Sequence, residues 1–292
     1  MSLLIKELLS IAANRFSAVG CMTPRLDAEV LLAHLLHVDK SFFFIHGSDP
    51  LDERRSELYF QLVDQRASGI PVQYLTGIQE FMGLPFTVNE HVLIPRPDTE
   101  TLVEKAIQVI KASKRVLHKP LVLDLCCGSG AIAVSLAHHC PEAQILAVDI
   151  SAEALAVAKE NAERNGVKNR VRFLQADLFA PQGKGGKIGK FDCIVSNPPY
   201  IPSAVIPTLQ REVAQHEPLL ALDGGADGLD FYRRIIAEAP DHLRKGGTLL
   251  LEIGHDQAPA IKELIAASGR YQEEVTVIAD LAGHDRCIQC QA

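Results

Sequence analysis

The residues whose types and spacing most clearly suggest chemistry form the sequence NPPY at 197–200. They follow an apolar run at 191–196 that is typical of a buried strand. Proline has no backbone N–H, its φ is fixed near about −65°, and it pushes the preceding residue towards extended geometry. The turn therefore presents two acceptors with few donors near them, namely the side-chain carbonyl of Asn197 and the main-chain carbonyl of Pro198.

A pair of acceptors of this kind suits a planar –NH2 group, which has two hydrogens to donate. Holding both hydrogens aims the nitrogen at a neighbouring electrophile and favours the positive charge that develops when the nitrogen attacks. We expect Tyr200 to pack its ring on the flat guest, while Pro199 keeps a second N–H out of the turn. We therefore predict that Asn197, Pro198, Pro199 and Tyr200 bind the substrate and form the catalytic site. Positioning and desolvation of a weak nucleophile would drive the reaction without a dedicated general base.

A glycine-rich loop, DLCCGSGAIA at 124–133, leaves a strand and opens a helix. Its glycines let the backbone approach a ligand, and the helix N-terminus offers free N–H groups to an anion. The loop also satisfies G-x-G-x-x-G/A, so by itself it suits either the pyrophosphate of a dinucleotide or the carboxylate of S-adenosylmethionine. The cofactor-binding residues predicted in this loop are Cys126, Cys127, Gly128, Ser129 and Gly130.

Two carboxylates follow the next two strands, at the same edge of the predicted sheet. Asp149 ends the second strand, where a carboxylate accepts both ribose hydroxyls of an adenosine. Asp177 follows the third strand, where its side chain, or the backbone beside Leu178, would meet the adenine amino group. Ligands of such sheets bind beyond the carboxyl ends of the strands. We therefore predict that Asp149, Asp177 and Leu178 bind the nucleoside and that Asn197 also contacts the cofactor.

The elements that must position these residues alternate between strand and helix from residue 121 onwards. This order predicts an α/β fold with a doubly wound, Rossmann-like sheet of seven strands, of which the last two are antiparallel. That order matches the common methyltransferase sheet better than a six-stranded dinucleotide fold. The strands are expected at 121–125, 145–149, 171–175, 191–196, 248–253, 275–280 and 286–290.

The segment before this sheet has apolar residues at helical spacing, which predicts a small N-terminal helical bundle. One helix is expected to begin at Thr23-Pro24, with Leu26 on its apolar stripe, and Phe42 to Phe44 are expected to fill the core. Short apolar runs broken by glycine and proline then predict a β-hairpin. The expected divisions are a helical substrate-recognition domain at 1–71, a β-hairpin linker at 72–98 and an S-adenosylmethionine-dependent methyltransferase domain at 99–292.

Composition narrows the class of protein further. The chain has 292 residues, of which 47% are hydrophobic and 22% are charged, as in ordinary soluble globular proteins. The formal net charge of −7 argues against a protein that binds nucleic acid through contacts with its phosphates. The seven cysteines are scattered, with a single C-x-x-C at Cys287 and Cys290, which predicts buried thiols in the reducing cytoplasm and no metal site. Because no apolar run approaches the ~20 residues that span a bilayer, we expect no membrane association.

Beyond these motifs, the chain resembles amino-group methyltransferases that use S-adenosylmethionine, whose shared mark is [DNS]-P-P-[YFW] after the fourth strand. More narrowly, it is similar to the HemK/PrmC family of peptide chain release factor glutamine methyltransferases. The stretches that carry the resemblance are QYLTG (73–77), EFMGLPFTV (80–88), VLIPRPDTE (92–100), NPPYIP (197–202) and LLLEIG (249–254). The family usually has glycine where Cys126 stands and glutamate where Asp98 stands.

The resemblance implies that S-adenosylmethionine is the cofactor and that the target is the glutamine of the Gly-Gly-Gln motif in release factors. It also implies that 126–130 form the cofactor loop, that Asp149 binds ribose, that Asp177 and Leu178 flank adenine, and that 197–200 hold the glutamine amide. Release factors are then the expected protein partner. We further expect a cytoplasmic monomer that does not bind nucleic acid directly.

Three other functions remain open from the residues alone. An adenine or guanine amino-methyltransferase acting on nucleic acid would use the same NPPY turn. The negative net charge of the chain and its N-terminal helical domain disfavour this function. A dinucleotide-dependent oxidoreductase would use the glycine loop and would leave NPPY without a role. A binding module without catalysis would tolerate the loss of Asn197.

Overall fold

The computed structural model describes residues 3–112, 119–181 and 188–292. The chain forms two compact units, one made of Met1–Ile78 and Gln210–His216 and the other of Gln79–Leu209 and Glu217–Ala292. In chain order, the described helices are α1 (Ile5–Ala18), α2 (Pro24–Leu36), α3 (Phe42–His46), α4 (Glu53–Ala67), α5 (Val72–Thr76), α6 (Thr99–Ala112), α7 (Ala131–His139), α8 (Ala152–Arg164), α9 (Arg211–His216), α10 (Leu219–Leu222), α11 (Asp230–His242) and α12 (Ala258–Ser268).

The first unit is helical, as its apolar periodicity predicts, and has its own core. Proline at the first position of α2 supplies a preset φ, and Asp52 caps α4 by accepting a hydrogen bond from the backbone N–H of Arg55 at 2.9 Å. The largest fully buried side chains in this core are Leu8, Leu9, Phe16, Leu31, Leu32 and Tyr59.

Two apolar side chains of this unit lie on the surface rather than in the predicted core. Leu26 is 43% exposed and Phe44 is 90% exposed. The apolar stripe of α2 is shifted because Asp27, the residue after Leu26, faces inwards. The helix that contains Phe44 has only five residues, and successive residues of a helix point in different directions, so it buries Phe43 and turns Phe44 outwards.

The inward-facing Asp27 forms a buried ion pair inside the first unit. Arg66 Nε donates to Asp27 Oδ2 at 2.7 Å, and the two side chains are 5% and 4% exposed. Arg66 Nη2 also lies 2.6 Å from Glu212 Oε2, and Nη1 donates to the main-chain oxygen of Ile70 at 3.3 Å. Removing one partner from such a pair leaves an uncompensated charge in the interior.

The second unit contains a mixed sheet that confirms the predicted α/β fold. The strands of the described chain are β1 (Ile78–Phe81), β2 (Leu84–Thr87), β3 (Leu121–Leu125), β4 (Gln144–Asp149), β5 (Val171–Asp177), β6 (Ala180–Pro181), β7 (Phe191–Ser196), β8 (Leu243–Glu252), β9 (Thr276–Ala279) and β10 (Asp285–Gln291). Within the described residues, the large sheet has eight strands in the order β6-β5-β4-β3-β7-β8-β10-β9.

The central strands β5, β4, β3, β7 and β8 are parallel, and β10 and β9 close one side of the sheet as antiparallel neighbours. The eighth strand, β6, is a two-residue antiparallel addition to β5, too short to leave a periodic pattern in the sequence. Strand β8 begins at Leu243 instead of residue 248, because a register shift at Gly246-Gly247 keeps the chain paired with β7 on both sides of the irregularity.

The predicted hairpin is present as the two-stranded sheet of β1 and β2. Met82 and Gly83 join the strands with φ values of 53° and 72°, so both turn residues are left-handed. This is the turn whose twist matches that of two antiparallel strands. The short helix α5 immediately precedes the hairpin and was not expected from the sequence.

Four parallel strands, β3, β4, β5 and β7, end at the same edge of the sheet, at residues 125, 149, 177 and 196. The N-cap of α7, the helix that follows β3, is Gly130, whose φ is 77°, and a Cβ on Gly130 would lie 3.0 Å from the Cβ of Ala158 in α8. This glycine therefore lets α7 approach α8 closely and fixes the loop between β3 and α7 at the sheet edge.

We expect Arg66→Met to lower the free energy of unfolding by about 3–5 kcal/mol, because Asp27 would be left buried without its cation. The matched control is Asp64→Ala, which breaks the exposed pair of Arg15 and Asp64, whose side chains are 46% and 70% exposed. That control should cost less than about 1 kcal/mol. Denaturant unfolding followed by circular dichroism measures both changes, and equal losses would contradict the assignment.

A second comparison tests the close approach at Gly130. Gly130→Ala and Gly166→Ala both force alanine into a left-handed backbone, at about 1–2 kcal/mol each, but only position 130 meets another atom within 4 Å. We expect Gly130→Ala to be less stable than Gly166→Ala by a further 1–3 kcal/mol or so, the usual cost of overpacking. Thermal unfolding of the two variants side by side makes this comparison, and indistinguishable midpoints would show that the helices separate freely.

Candidate active site

A cavity of ≈ 520 Å³ lies in the second unit, beyond the carboxyl ends of β3, β4, β5 and β7. This volume is in the range of pockets that bind small organic ligands. The predicted site residues that line it are Cys126, Cys127, Gly128, Ser129, Asp149, Asp177, Leu178, Asn197 and Pro199. The other three predicted residues, Gly130, Pro198 and Tyr200, are not among its lining residues.

The glycine loop turns sharply through three left-handed residues, Cys126, Gly128 and Gly130, with φ values of 59°, 51° and 77°. Two short backbone hydrogen bonds hold it, from Cys127 N to Val148 O at 3.0 Å and from Gly130 N to the carbonyl of Cys127 at 2.7 Å. Cys126 therefore has the conformation that glycine would supply, at a cost of about 1–2 kcal/mol. Burial raises the pKa of the Cys126 thiol, which keeps it neutral beside the cavity.

The Asp149 carboxylate is fixed at the cavity wall by two backbone groups. Its Oδ2 accepts from Gly128 N at 2.8 Å, and its Oδ1 accepts from Ser151 N at 3.0 Å. Burial raises the pKa of Asp149, and these backbone hydrogen bonds oppose the rise. Because an ionised carboxylate has about four acceptor positions, acceptor capacity remains for hydroxyl groups of a ligand.

Asp177 is held by a cation that the sequence did not indicate. Arg234 Nη2 lies 2.8 Å from Asp177 Oδ1, and both residues line the cavity. Phe231 also lines it and lies on the same face of α11, three residues before Arg234. The sequence analysis assigned no structure to this helix and so missed both. Leu178 is left-handed, with φ of 52°, and lines the cavity beside the Asp177 carboxylate.

The Asn197 side chain has a defined orientation. Its Nδ2 donates to Thr99 Oγ1 at 3.3 Å. Among the hydrogen bonds of the described residues, its Oδ1 accepts none, and Asn197 lines the cavity. The carbonyl end of this amide is thus the acceptor that remains for a ligand. We use the term amide clamp for the predicted pair of acceptors, the side-chain carbonyl of Asn197 and the main-chain carbonyl of Pro198, of which Asn197 is among the residues that line the cavity.

Tyr200 is not among the residues that line the cavity. It packs against the apolar cluster on one side of the sheet, and its hydroxyl lies beside the Glu252 carboxyl. The physical reason is that a buried phenol needs a polar partner, and Glu252 supplies one behind the turn. Gln257 Nε2 donates to the main-chain oxygen of Tyr200 at 3.0 Å, so the turn is fixed from that side too.

Several residues that shape this site received no role in the sequence analysis. Thr99 and Arg96 lie within VLIPRPDTE, and Glu252 lies within LLLEIG. Arg96, which lines the cavity, pairs through Nη2 with the buried carboxylate of Glu217. The signal that could have found them is their membership of the stretches that carry the family resemblance.

The residues at the cavity fit S-adenosylmethionine by their chemistry. The backbone N–H groups of the loop at 126–130 could hold its carboxylate, and Asp149 could accept its ribose hydroxyls. Val148, Ile150 and Leu178 provide an apolar wall for a purine ring. When bound, this cofactor supplies an electrophilic methyl group.

The described ranges contain neither a candidate membrane span nor a metal-binding cluster. No described helix is both long and apolar enough to cross a membrane. No group of three or more His, Cys, Asp or Glu side chains in the described residues is arranged to hold a metal ion. All seven cysteines are free thiols.

Comparisons with known proteins give two family matches. Residues 7–77 match the PrmC N-terminal domain, and residues 106–274 match the methyltransferase small domain. A release factor glutamine methyltransferase of Moorella thermoacetica is 45% identical over 283 residues, covering 97% of this chain and 96% of that protein. Another from Geobacter sulfurreducens is 42% identical, covering 91% of this chain and 89% of that protein.

A solved structure, the hMettl16 catalytic domain in complex with MAT2A 3'UTR hairpin 1, is similar with a TM-score of 0.58 over 89% of this chain and 90% of that one. At 15% sequence identity it shows the shared fold alone. The sequence relatives extend over both units of the chain at identities that establish common membership. The chain therefore belongs to the release factor glutamine methyltransferase family, whose members are S-adenosylmethionine-dependent enzymes.

Proposed function

We propose that this chain transfers a methyl group from S-adenosylmethionine to the side-chain amide nitrogen of the glutamine in the Gly-Gly-Gln motif of peptide chain release factors. The observation that carries the proposal is the orientation of Asn197. Its amide nitrogen donates to Thr99, so its carbonyl oxygen is left as an acceptor at the cavity that fits the cofactor. The relatives named release factor glutamine methyltransferase supply the identity of the substrate.

The chemistry follows from the poor nucleophilicity of an amide nitrogen, whose lone pair is delocalised into the carbonyl. In the proposed mechanism, Asn197 Oδ1 and the carbonyl of Pro198 each accept one N–H of the substrate amide. This turns the nitrogen towards the methyl donor and stabilises the positive charge that develops on the nitrogen. The extra proton leaves to water once the new N–C bond has formed, so no side chain has to remove it beforehand.

We infer that the helical unit recognises the release factor, while the second unit carries out the transfer. The cofactor cavity is lined by residues of the second unit. In the first unit, Phe44 and Ile45 are 90% and 80% exposed, which is unusual for adjacent large apolar side chains. An exposed apolar patch of this kind commonly marks a protein-binding surface.

We also propose that the enzyme is a cytoplasmic monomer that does not bind nucleic acid directly. Seven free thiols support a reducing compartment, and a formal net charge of −7 is unfavourable for contact with phosphates. Size-exclusion chromatography with light scattering checks the oligomeric state.

Mass spectrometry of a release factor after incubation with the enzyme and S-adenosylmethionine tests the proposed reaction. We expect one added methyl group on the glutamine of Gly-Gly-Gln in wild type and in the control Asn169→Ala, which changes an exposed asparagine that does not line the cavity. Asn197→Ala should lower kcat by about 10²–10³, as does the loss of one preorganised group. Its cofactor affinity, measured by calorimetry, should change only a few-fold. A methyl group found on RNA and not on the release factor would favour the nucleic-acid alternative.

The role of the helical unit is tested by Phe44→Ser. We expect this variant to raise KM for an intact release factor by about tenfold or more, the effect of losing one central apolar contact, with kcat unchanged. The matched control is Leu281→Ser, which removes an equally exposed side chain from the second unit. A short peptide carrying Gly-Gly-Gln should be methylated equally by both variants. Unchanged KM for the intact protein would show that this surface does not bind it.

A further inference from the structure

A buried chain of polar side chains lies behind the amide clamp. Asn197 Nδ2 donates to Thr99 Oγ1 at 3.3 Å, and the hydroxyls of Thr99 and Tyr200 lie beside the Glu252 carboxyl, whose Oε2 is buried and accepts no hydrogen bond among the described residues. Thr99 is 5% exposed and Glu252 is 2% exposed. These four side chains come from three separate elements, namely the start of α6, the turn after β7 and the end of β8. Buried polar groups that meet from separate elements impose a strict geometry.

The direction of the hydrogen bonds in this chain is set by the carboxylate. An ionised carboxylate only accepts hydrogen bonds, so a Thr99 hydroxyl that engages the unpartnered Glu252 Oε2 has to donate its single hydrogen to it. The Thr99 oxygen is then left with lone pairs alone, and it can only accept from Asn197. The donor end of the Asn197 amide is therefore held at Thr99, and the carbonyl end is held towards the cavity.

A reversed Asn197 amide would be unfavourable at both ends. Its oxygen would face the lone pairs of Thr99, and its NH2 group would face the NH2 group of the substrate. Each contact would bring together two acceptors or two donors that have lost their water, and unsatisfied buried polar groups are costly. The choice between these two orientations thus depends on a group that does not touch the substrate.

We propose that Glu252 and Thr99 are positioning residues for the methyl transfer, with the buried carboxylate acting through the Thr99 hydroxyl to fix which end of the Asn197 amide faces the substrate. The proposal rests on the proposed function, because it concerns the same clamp. It assigns a role to one residue of VLIPRPDTE and one of LLLEIG, the stretches that the mechanism above leaves without one.

The charge state of Glu252 is set by groups that face it from several elements. Tyr232 donates its hydroxyl to the main-chain oxygen of Glu252 at 2.8 Å. The groups that interact with the Glu252 carboxyl through charge or hydrogen bonding, and so affect its pKa or have their own pKa affected by it, are Asp98, Thr99, Tyr200, Tyr232, Arg286 and Cys287. Arg286 is shared, since its Nη2 lies 3.0 Å from both Asp98 Oδ2 and Asp280 Oδ2.

Burial raises the pKa of Glu252 to about 7, and the Thr99 hydrogen bond and the Arg286 charge oppose this rise. Above that pH the carboxylate accepts from Thr99 and the clamp has its productive direction. Below it, protonated Glu252 is itself a donor, so the Thr99 hydrogen is released to bond Asn197 Oδ1 and to favour the reversed amide. The turnover number should therefore rise with pH through the neutral range.

Thr99→Val and Thr99→Ser form the matched pair that tests the positioning role. Valine keeps the shape of threonine without the hydroxyl, and serine keeps the hydroxyl. We expect Thr99→Val to lower kcat for the release factor by about 10- to 100-fold, as misplacement of a reacting group does, with KM unchanged. Thr99→Ser should stay within a few-fold of wild type. Cofactor affinity by calorimetry and the unfolding midpoint should be similar in both variants.

Glu252→Gln supplies an independent readout that does not require Thr99→Val to fold. Wild-type kcat should increase with pH around a midpoint near 7. Glu252→Gln has no proton to lose in this range, so its kcat should not show this increase. The positioning role would be overturned if kcat rose with pH in the same way in both enzymes, or if Thr99→Val had the kcat of wild type. Absence of any methylated glutamine with wild-type enzyme would instead overturn the proposed function, so the two failures are distinguishable.

Discussion

The hydrogen bond from Asn197 to Thr99 decides what the cavity can accept, because an asparagine amide presents either two donors or one carbonyl. With Nδ2 on Thr99, the carbonyl is what remains. A site made of carbonyl oxygens favours a guest that has only hydrogens to offer, such as an amide or aromatic –NH2. The family to which the chain belongs identifies the guest as a glutamine amide. The release factor is the protein that carries this glutamine.

This one interaction depends on a turn that cannot shift. A Cβ on Gly228 would lie 2.3 Å from the main-chain oxygen of Tyr200, and a Cβ on Gly224 would lie 2.8 Å from its Cα. Gln257 Nε2 also links the two segments, because it donates to the carbonyl of Tyr200 at 3.0 Å and to the carbonyl of Gly228 at 3.3 Å. The chain before α11 is therefore packed against the turn with no space for a side chain at Gly224 or Gly228, and the two prolines limit the remaining backbone freedom.

The sequence was most informative where a local rule decides the outcome. The apolar runs at 121–125 and 191–196 became strands with the predicted bounds, and residues at the ends of parallel strands met at one cavity because parallel strands share an edge. It was least informative where buried polar groups choose partners through tertiary packing. Tyr200 lies beside Glu252, and Arg234 reaches Asp177 from a helix far along the chain. No spacing rule relates Thr99 to Glu252, which are neighbours only in the folded sheet.

The most direct test of the central claim is neutron diffraction from a deuterated complex of the enzyme with S-adenosylhomocysteine and a peptide carrying Gly-Gly-Gln. Neutrons distinguish the two ends of an amide and locate the deuterium of a hydroxyl. The account predicts deuterium on Asn197 Nδ2 directed at Thr99, the Thr99 deuterium directed at Glu252, and both deuterium atoms of the glutamine amide directed at the carbonyls of Asn197 and Pro198. An Asn197 amide with its nitrogen facing the glutamine would contradict it.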